Sequence, residues 1–323
     1  MRICFSLKVS PNQPGGGGAK FTSKFADYLM AQGHSVEYFF KADDPPDCVF
    51  FLDHKLYSDE RTDKWLGLEE AQAIKLRFPN LPIVTRINDI GAPKDRPSDF
   101  VQRFSDLANL SDHVVFISKW LKDDYYKGKI TSPSTVIHNS VDEDIFTLKD
   151  YKEPNFTCGI SPGSLNLFTH HWSPSRIKGW DMYQQLDDWI KDKNINFTFV
   201  GNLPSGVKLK NSTALNPLTG TELANEIKKH DIYVTASEFE PCGMHHIEGL
   251  ACGLPYLYTS KGGGLREAGD YGVEFETFQQ FTEKLKEVTN EYKELYLKIK
   301  NNFEFFNKNA FPKYQKTIEN CIM

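Results

Sequence analysis

The chain has 323 residues, of which 40% are hydrophobic and 25% are charged, and its formal net charge is −5. This length and balance fit a globular protein of roughly two domains, and they exclude a disordered chain, a collagen-like repeat and a coiled coil. The negative net charge argues against a general nucleic-acid binder, which is normally basic overall.

Apolar runs and cysteine usage indicate in which cellular compartment the protein is expected. No apolar run approaches the roughly 20 residues that span a bilayer, and the apolar residues 1–7 are too few for a signal peptide. The six cysteines are scattered without a CxxC pair, so we expect reduced thiols in a cytoplasmic protein. A basic-aromatic patch at residues 119–127 leaves peripheral membrane contact open, although a solvated helix accounts for the patch better.

Short apolar runs alternate with amphipathic stretches along both halves of the chain. Strands are predicted at residues 2–7, 36–40, 48–52, 83–87, 114–117, 136–138, 167–171, 197–200, 232–235 and 256–259. Helices are predicted after the glycine-rich residues 15–18, at residues 68–78, 181–192, 219–229 and 244–252, and from residue 278 onward. Apolar residues spaced by four positions, as at Phe21, Phe25 and Leu29, support these helices. The alternation predicts parallel sheets covered by helices on both faces.

The polar residues 149–155 separate two similar alternating patterns and are interpreted as a linker. The fold class is therefore α/β, with two doubly wound, Rossmann-like domains, at residues 1–150 and from residue 151 onward, facing each other across a cleft. Ligands of such sheets bind beyond the carboxyl ends of the strands, so functional residues are expected in the loops between strands and helices.

One segment carries most of the functional inference. Residues 238–253 read EFEPCGMHHIEGLACG, in which Glu240 lies in a loop after a strand and Glu248 lies inside the following helix. Gly243 falls where that helix begins and leaves its first N–H groups open to an anionic ligand. The two carboxylates can then bind hydroxyl groups on either side of the anion, which is the order of parts in a sugar joined through a diphosphate to a ribose. Two solvated capping glutamates are the alternative, because this spacing alone is common.

This segment resembles the EX7E motif of the family 4 glycosyltransferases, which have the GT-B fold. Two glutamates enclose seven residues, and small residues ending in G-x-P follow. The resemblance implies that Glu248 holds the ribose hydroxyls of the nucleotide and that Glu240 lies beside the transferred sugar. It also implies that backbone amides around Gly243 and Met244 face the donor sugar and phosphate, with Cys242 in the same donor-binding stretch.

A second stretch, HHWSPSRIKG at residues 170–179, also resembles the family. There the lysine of a Lys-Gly pair lies against the donor diphosphate, and Lys178 has this position; a solvated lysine at a helix entry is the alternative. Relatives often have an arginine five residues earlier, where this chain has Ser173, and Arg176 is the nearest substitute. Residues 262–264 with Glu267 are similar to the family's GG-x-x-E loop, which seats phosphates. The expected catalytic residues are thus Lys178 and Glu240.

In the first domain the resemblance is looser. The loop at residues 15–18, with Gly17 and Gly18, is expected to let the backbone approach the donor phosphate or the acceptor, and a flexible turn is the alternative. Residues 85–90 read TRINDI where relatives often have His-Asp, so Arg86, Asn88 and Asp89 are expected only as cleft or acceptor residues. By family analogy the second domain ends near residue 305, and a helix over residues 306–323 completes the first.

The resemblance implies a retaining, metal-independent transfer of a sugar from a nucleotide sugar, with a UDP-sugar favoured, to an acceptor hydroxyl. No cofactor is expected, because the histidines near the motif match no zinc signature. The acceptor stays open between a glycan, a lipid, a protein and a modified nucleic-acid base. The alternatives are a nucleotide-sugar epimerase of the same fold, a nicotinamide dehydrogenase and a two-lobed, non-catalytic sugar-binding protein.

Overall fold

The computed structural model describes most of the chain, namely residues 1–8, 17–52, 66–91, 93, 97–152 and 164–323. The described residues form two compact units, each built around its own sheet. The first unit consists of Met1–Asn139 together with Lys308–Met323, and the second consists of Ser140–Asn307.

The division between the units falls before the predicted boundary at residue 150. Residues 140–150 group with the second unit because their backbone pairs with it. The N–H of Val141 donates to the Phe305 carbonyl (3.0 Å), and the N–H of Lys149 donates to the Cys252 carbonyl (3.1 Å). Residues 153–155 of the predicted linker lie outside the described part of the chain.

The first unit contains a six-stranded parallel sheet, with the strand order β2-β1-β3-β4-β5-β6. The strands are β1 Arg2–Phe5, β2 Ser35–Glu37, β3 Cys48–Phe51, β4 Ile83–Ile87, β5 His113–Phe116 and β6 Ser134–Val136. The helices of this unit are α1 Gly17–Ala31, α2 Leu68–Arg77, α3 Phe100–Asn109 and the C-terminal helix, α9 Asn307–Ile322. Each strand overlaps a predicted one, whereas α3 was not predicted.

The second unit contains another six-stranded parallel sheet, with the order β12-β11-β10-β7-β8-β9. Its strands are β7 Leu165–His171, β8 Ile195–Gly201, β9 Thr213–Leu215, β10 Ile232–Thr235, β11 Tyr256–Thr259 and β12 Gly272–Phe275. Its helices are α4 Trp180–Trp189, α5 Gly220–Ile227, α6 Met244–Ala251, α7 Phe278–Asn290 and α8 Tyr292–Asn302. The two parallel sheets confirm the predicted α/β class, and the two edge strands β9 and β12 were not predicted.

Aromatic side chains join α1 to α9 in the core of the first unit. The ring centroid of Phe25 in α1 lies 5.4 Å from that of Phe311 and 5.5 Å from that of Tyr314, both in α9. Phe25 also contacts Phe50 of β3 at 5.7 Å. Burying one phenylalanine side chain contributes about 1.5–3 kcal/mol, so α9 is an integral part of this core.

In the second unit, α4 packs its aromatic face on β8. Trp180 lies 5.0 Å from Phe199 between ring centroids, and Tyr183 stacks on Phe197 at 5.8 Å. The hydroxyl oxygen of Tyr183 also accepts the Ala236 N–H at 3.0 Å, just beyond the end of β10. These contacts place the start of α4 beside the carboxyl ends of β7 and β10.

Among the described helices, none is long and apolar enough to cross a membrane. The patch at residues 119–127 contains a π-helical turn, Leu121–Tyr125, and takes part in packing. Tyr126 is buried and its hydroxyl donates to the Asp89 carbonyl (3.1 Å), while the hydroxyl of Tyr125 accepts the Gly91 N–H (2.8 Å). The expectation of a solvated helix is therefore wrong for these tyrosines, which hold the loop after β4.

Candidate active site

The loop between β10 and α6 is held on both sides by backbone hydrogen bonds. The N–H of Glu238 donates to the Ile177 carbonyl (2.7 Å) in the turn that follows β7. Glu240 donates its N–H to the Gly262 carbonyl (3.0 Å) and accepts the Gly264 N–H (2.8 Å), both in the turn that follows β11. The loops that follow three neighbouring strands thus fix the backbone of Glu240.

Gly179 brings Lys178 to this loop. The φ of Gly179 is +80°, in the left-handed region that favours glycine, and a Cβ there would lie 2.2 Å from the Ala236 carbonyl oxygen. A side chain at this position would therefore push the turn after β7 away from the end of β10. This packing requirement explains why a glycine follows Lys178 in the sequence.

Lys178 and Glu240 form an ion pair at the centre of the site. The ammonium Nζ lies 2.6 Å from Glu240 Oε2, and the two side chains are 13% and 8% exposed. A charge-assisted hydrogen bond this well buried is screened less than a surface pair. The structure thus joins the two residues that were predicted to be catalytic.

The residue before Glu240 has a strained backbone. Phe239 has a φ of 49°, which is rare for a bulky side chain, and the residue is 42% exposed. Its N–H donates to the Lys261 carbonyl at 2.9 Å, so the surrounding turn maintains this conformation. Backbone strain of this kind collects at functional sites, and here it falls beside the expected catalytic carboxylate.

Gly243 is the N-cap of α6 and is enclosed by two functional side chains. A Cβ on Gly243 would lie 2.7 Å from His245 Nε2 and 2.9 Å from the Glu240 carboxyl carbon. Glycine at this position therefore allows both groups to approach the first turn of the helix. The N–H groups of that turn have no partner inside the helix, which suits an anionic ligand.

Glu248 is almost fully buried and is held by a histidine. Its Oε2 lies 2.7 Å from Nε2 of His170, the residue before the last of β7. His170 Nδ1 lies 3.2 Å from the Tyr233 hydroxyl, which lies 3.1 Å from His245 Nδ1. Sequence reasoning missed His170 and Tyr233 as parts of the site; the His-His pair at the end of a predicted strand was the available signal.

Burial keeps three histidines around α6 neutral at physiological pH. Burial lowers the pKa of His245 to about 4; the Glu240 carboxylate opposes this effect only in part, and Lys178 adds to it. Burial also lowers the pKa of His171 and of His246 well below the ordinary value. The positive charge that acts on Glu240 therefore comes from Lys178 and not from these rings.

The other predicted donor-side residues surround this centre. Cys242 is a buried residue of the loop itself, and Met244 is the first residue of α6. Arg176 is exposed in the 3-10 turn Arg176–Lys178, so the cation that the structure brings to Glu240 is Lys178. Within the described ranges, no group of three or more metal-binding side chains is arranged to hold a metal ion.

In the first unit, the predicted cleft residues lie at the carboxyl end of β4. Gly17 and Gly18 begin α1, and a Cβ on Gly18 would lie 3.4 Å from Asn88 Nδ2. The carboxylate of Asp89 accepts the N–H of Ile90 at 2.9 Å. The structure therefore brings Asn88 to the start of α1, while residues 15 and 16 of the glycine-rich loop lie outside the described residues.

Arg86 points into the interior of the first unit. It is 1% exposed, and its guanidinium lies 4.0 Å from the centroid of the Phe21 ring. It donates to Asn139 Oδ1 (2.6 Å) and to the Tyr314 hydroxyl of α9 (3.2 Å). These contacts give Arg86 a structural role between β4 and the C-terminal helix.

Comparisons with known proteins agree with this geometry. Residues 176–304 match the family model of the glycosyl transferases group 1. An uncharacterized glycosyltransferase of Methanocaldococcus jannaschii is 30% identical over 162 residues, which are 47% of this chain and 41% of that protein. A probable sucrose-phosphate synthase of Thermosipho melanesiensis is 32% identical over 105 residues, which are 31% and 22% of the two chains. The chain thus spans less than half the length of these curated relatives.

Solved structures match over the whole chain. HepE of Anabaena, in complex with UDP-glucose, has a TM-score of 0.68 at 16% identity and covers 99% of this chain and 100% of its own. Sucrose-phosphate synthase of Thermosynechococcus elongatus has a TM-score of 0.69 at 11% identity, covering 99% and 98%. These likenesses confirm the predicted GT-B fold. Residues 176–304, which match the group 1 family model, contain Lys178, Glu240 and Glu248, so the match agrees with the predicted relation to glycosyltransferases.

Proposed function

We propose that the protein is a retaining glycosyltransferase that moves a sugar from a nucleotide sugar, with a UDP-sugar favoured, to an acceptor hydroxyl. The observation that carries this proposal is the joining of Lys178, Glu240 and the first turn of α6 around Gly243. A cation, a carboxylate and free N–H groups then meet in one place inside the residues that match the group 1 glycosyltransferase model. The UDP-glucose bound by HepE supports the choice of donor.

The proposed roles follow from the charges. Lys178 has three N–H donors, of which Glu240 takes one, so its ammonium can also bind a phosphate oxygen without breaking the ion pair. Negative charge develops on the diphosphate as it leaves, and a cation fixed in advance stabilises that charge most in the transition state. The N–H groups at the start of α6 add to this effect. Together they take the part that a metal ion has in other transferases.

The proposed reaction retains the configuration at the anomeric carbon. The bond from that carbon to the diphosphate oxygen breaks, and the bond to the acceptor oxygen forms on the same face. The acceptor proton passes to a phosphate oxygen, so a side-chain nucleophile is not needed. Glu240 would lie beside the sugar and Glu248 would bind the ribose hydroxyls, as in the EX7E proteins that this segment resembles.

A panel of UDP-, GDP- and ADP-sugars, scored by thermal shift and by diphosphate release, tests the donor. An acceptor screen over glycans, lipids, proteins and modified bases then uses the donor that binds. Lys178→Ala and Glu240→Gln should each slow transfer by about 10²–10³-fold. Lys284→Ala is the matched control, because Lys284 also lies 2.6 Å from a glutamate, but in an exposed pair on α7.

Two outcomes would contradict the proposal. One is that none of the nucleotide sugars binds the wild-type protein. The other is that Lys178→Ala or Glu240→Gln transfers sugar as fast as Lys284→Ala, which would remove the proposed role of that residue. Epimerised nucleotide sugar without diphosphate release would instead support the epimerase, and binding without any turnover would support the sugar-binding protein.

A further inference from the structure

A buried network of polar side chains leads from Glu248 toward Glu240, the two glutamates of the motif. It runs from Glu248 through His170 and Tyr233 to His245, with contacts of 2.7, 3.2 and 3.1 Å. His245 Nε2 then lies 3.6 Å from Oε2 of Glu240, which is beyond hydrogen-bond distance. The side chains of this network are buried, and in the protein interior a hydrogen bond is electrostatically stronger than in water.

The order of protons along this network follows when each histidine ring carries a single proton. An ionised carboxylate only accepts, so His170 donates Nε2–H to Glu248. The Nδ1 of His170 then has a lone pair, which accepts the Tyr233 hydroxyl proton at 3.2 Å. The Tyr233 oxygen in turn accepts Nδ1–H from His245. His245 is left with a lone pair on Nε2, beside Glu240.

The contacts of His245 agree with this order. Two acceptors that face each other do not form a hydrogen bond, and His245 Nε2 is buried without a hydrogen-bond partner in the described part of the chain. The same atom lies against Gly243, where the first turn of α6 starts. A ligand hydroxyl at this place can donate its single proton to His245 Nε2, next to the Glu240 carboxylate.

The backbone makes room for the central tyrosine. A Cβ on Gly249, the residue after Glu248, would lie 2.3 Å from Cδ2 of the Tyr233 ring. Tyr233 also accepts the backbone N–H of His170 at 3.2 Å. The ring is therefore fixed by α6 on one side and by β7 on the other, as a positioning role requires.

We propose that His170 and Tyr233 are positioning residues of the donor site: His170 holds the Glu248 carboxylate, and through Tyr233 it keeps His245 in the tautomer whose Nε2 accepts a hydroxyl of the donor sugar. This inference rests on the proposed function, because it names which groups receive the two ends of the nucleotide sugar. Glu248 serves the ribose end, and His245 serves the sugar end beside Glu240.

Binding of a nucleotide with and without its sugar separates the two ends. The probes are UDP, GDP and ADP, and then the UDP-, GDP- or ADP-glucose of whichever nucleotide the wild-type protein binds, all measured by calorimetry. His170→Leu should weaken binding of the bare nucleotide about tenfold, because Glu248 loses a charge-assisted hydrogen bond. His170→Gln should restore most of it, because its amide donates to Glu248 and accepts from Tyr233.

Tyr233→Phe should show the opposite pattern. It keeps the bond between His170 and Glu248, so binding of the bare nucleotide should change less than about twofold. The added affinity for the attached sugar should fall several-fold, because the tautomer of His245 is no longer fixed. Tyr271→Phe is the matched control, since it removes the hydroxyl of another buried tyrosine, which donates to the Asn302 carbonyl at 2.7 Å and has no part in this network.

His246→Leu controls for loss of a buried histidine. His246 neighbours His245 and is fully buried, and neither of its ring nitrogens has a hydrogen-bond partner among the residues described. The inference is overturned if His170→Leu binds nucleotide as tightly as His246→Leu, or if Tyr233→Phe lowers both affinities equally. Wild-type protein that binds none of the three nucleotides overturns the proposed function itself, which is a different result.

Discussion

Acidification from pH 8 to pH 5 should destabilise the second unit through its buried histidines. Burial lowers the pKa of His245 to about 4 in the folded protein, whereas the unfolded chain has the ordinary value of about 6.5. A group with a lowered folded pKa contributes its full stability above pH 6.5 and loses it as the pH falls toward 4. At pH 5 the unfolded state binds a proton that the folded state does not bind.

The magnitude follows from these two values. For His245 alone, the free energy of unfolding should fall by about 2 kcal/mol between pH 8 and pH 5. His171, His230 and His246 also have lowered pKa values because they are buried, so they act in the same direction. Carboxylates of ordinary pKa stay mostly ionised at pH 5 and contribute little over this interval. The loss is a large part of the 5–15 kcal/mol that is typical of a folded domain.

Urea unfolding at pH 8, 6.5 and 5, followed by tryptophan fluorescence, measures this dependence. Trp172, Trp180 and Trp189 all lie in the second unit and report on it. His246→Leu removes one protonation site, and among the described residues the His246 ring makes no hydrogen bond that would be lost with it. The free energy of unfolding of this variant should therefore fall less than that of the wild type between pH 8 and pH 5. A wild-type stability that changes by less than about 0.5 kcal/mol between pH 8 and pH 5 would refute the reasoning.

Three substitutions test the packing that supports the site and the core. Gly179→Ala places a Cβ against the Ala236 carbonyl in a left-handed backbone and should cost at least about 2 kcal/mol in thermal unfolding; unchanged stability would contradict this. Asp187→Ala removes a buried carboxylate that accepts two backbone N–H groups and the Ser212 hydroxyl, so residues 203–212 should be cut faster by trypsin than in the wild type. Arg86→Leu should lower the free energy of unfolding of the first unit by about 1–3 kcal/mol in urea denaturation, because its partners lose buried hydrogen bonds.

Much of the fold was predictable from local sequence. Runs such as residues 48–51 and 256–259 are short and apolar, and each forms a fully buried strand of a parallel sheet. The edge strand β9 was missed because two of its three residues are exposed, which leaves no apolar run to detect. Helix α3 was missed although its buried face is clear once Phe100, Phe104 and Leu107 are seen together.

The site was predictable only where its residues are close in sequence. Glu240, Gly243 and Glu248 lie on one loop and the helix that follows, so their spacing carried the prediction. The contact of His170 with Glu248 joins positions 78 residues apart, and local spacing does not encode it. The burial of Arg86 could not be predicted from local sequence either. Every residue of β4 is buried, so the strand lacks the alternation of buried and exposed residues that shows which way a side chain points.

The position of α9 has a consequence for synthesis on the ribosome. The aromatic core around Phe25 includes Phe311 and Tyr314, yet the whole of Ser140–Asn307 comes between them in the chain. At the usual rate of about 5–20 residues per second, the ribosome needs roughly 10–30 s to make that intervening stretch. The core of the first unit is therefore completed only after the second unit has been translated. During that interval the apolar face of α1 stays without α9 and is a site that a chaperone can cover.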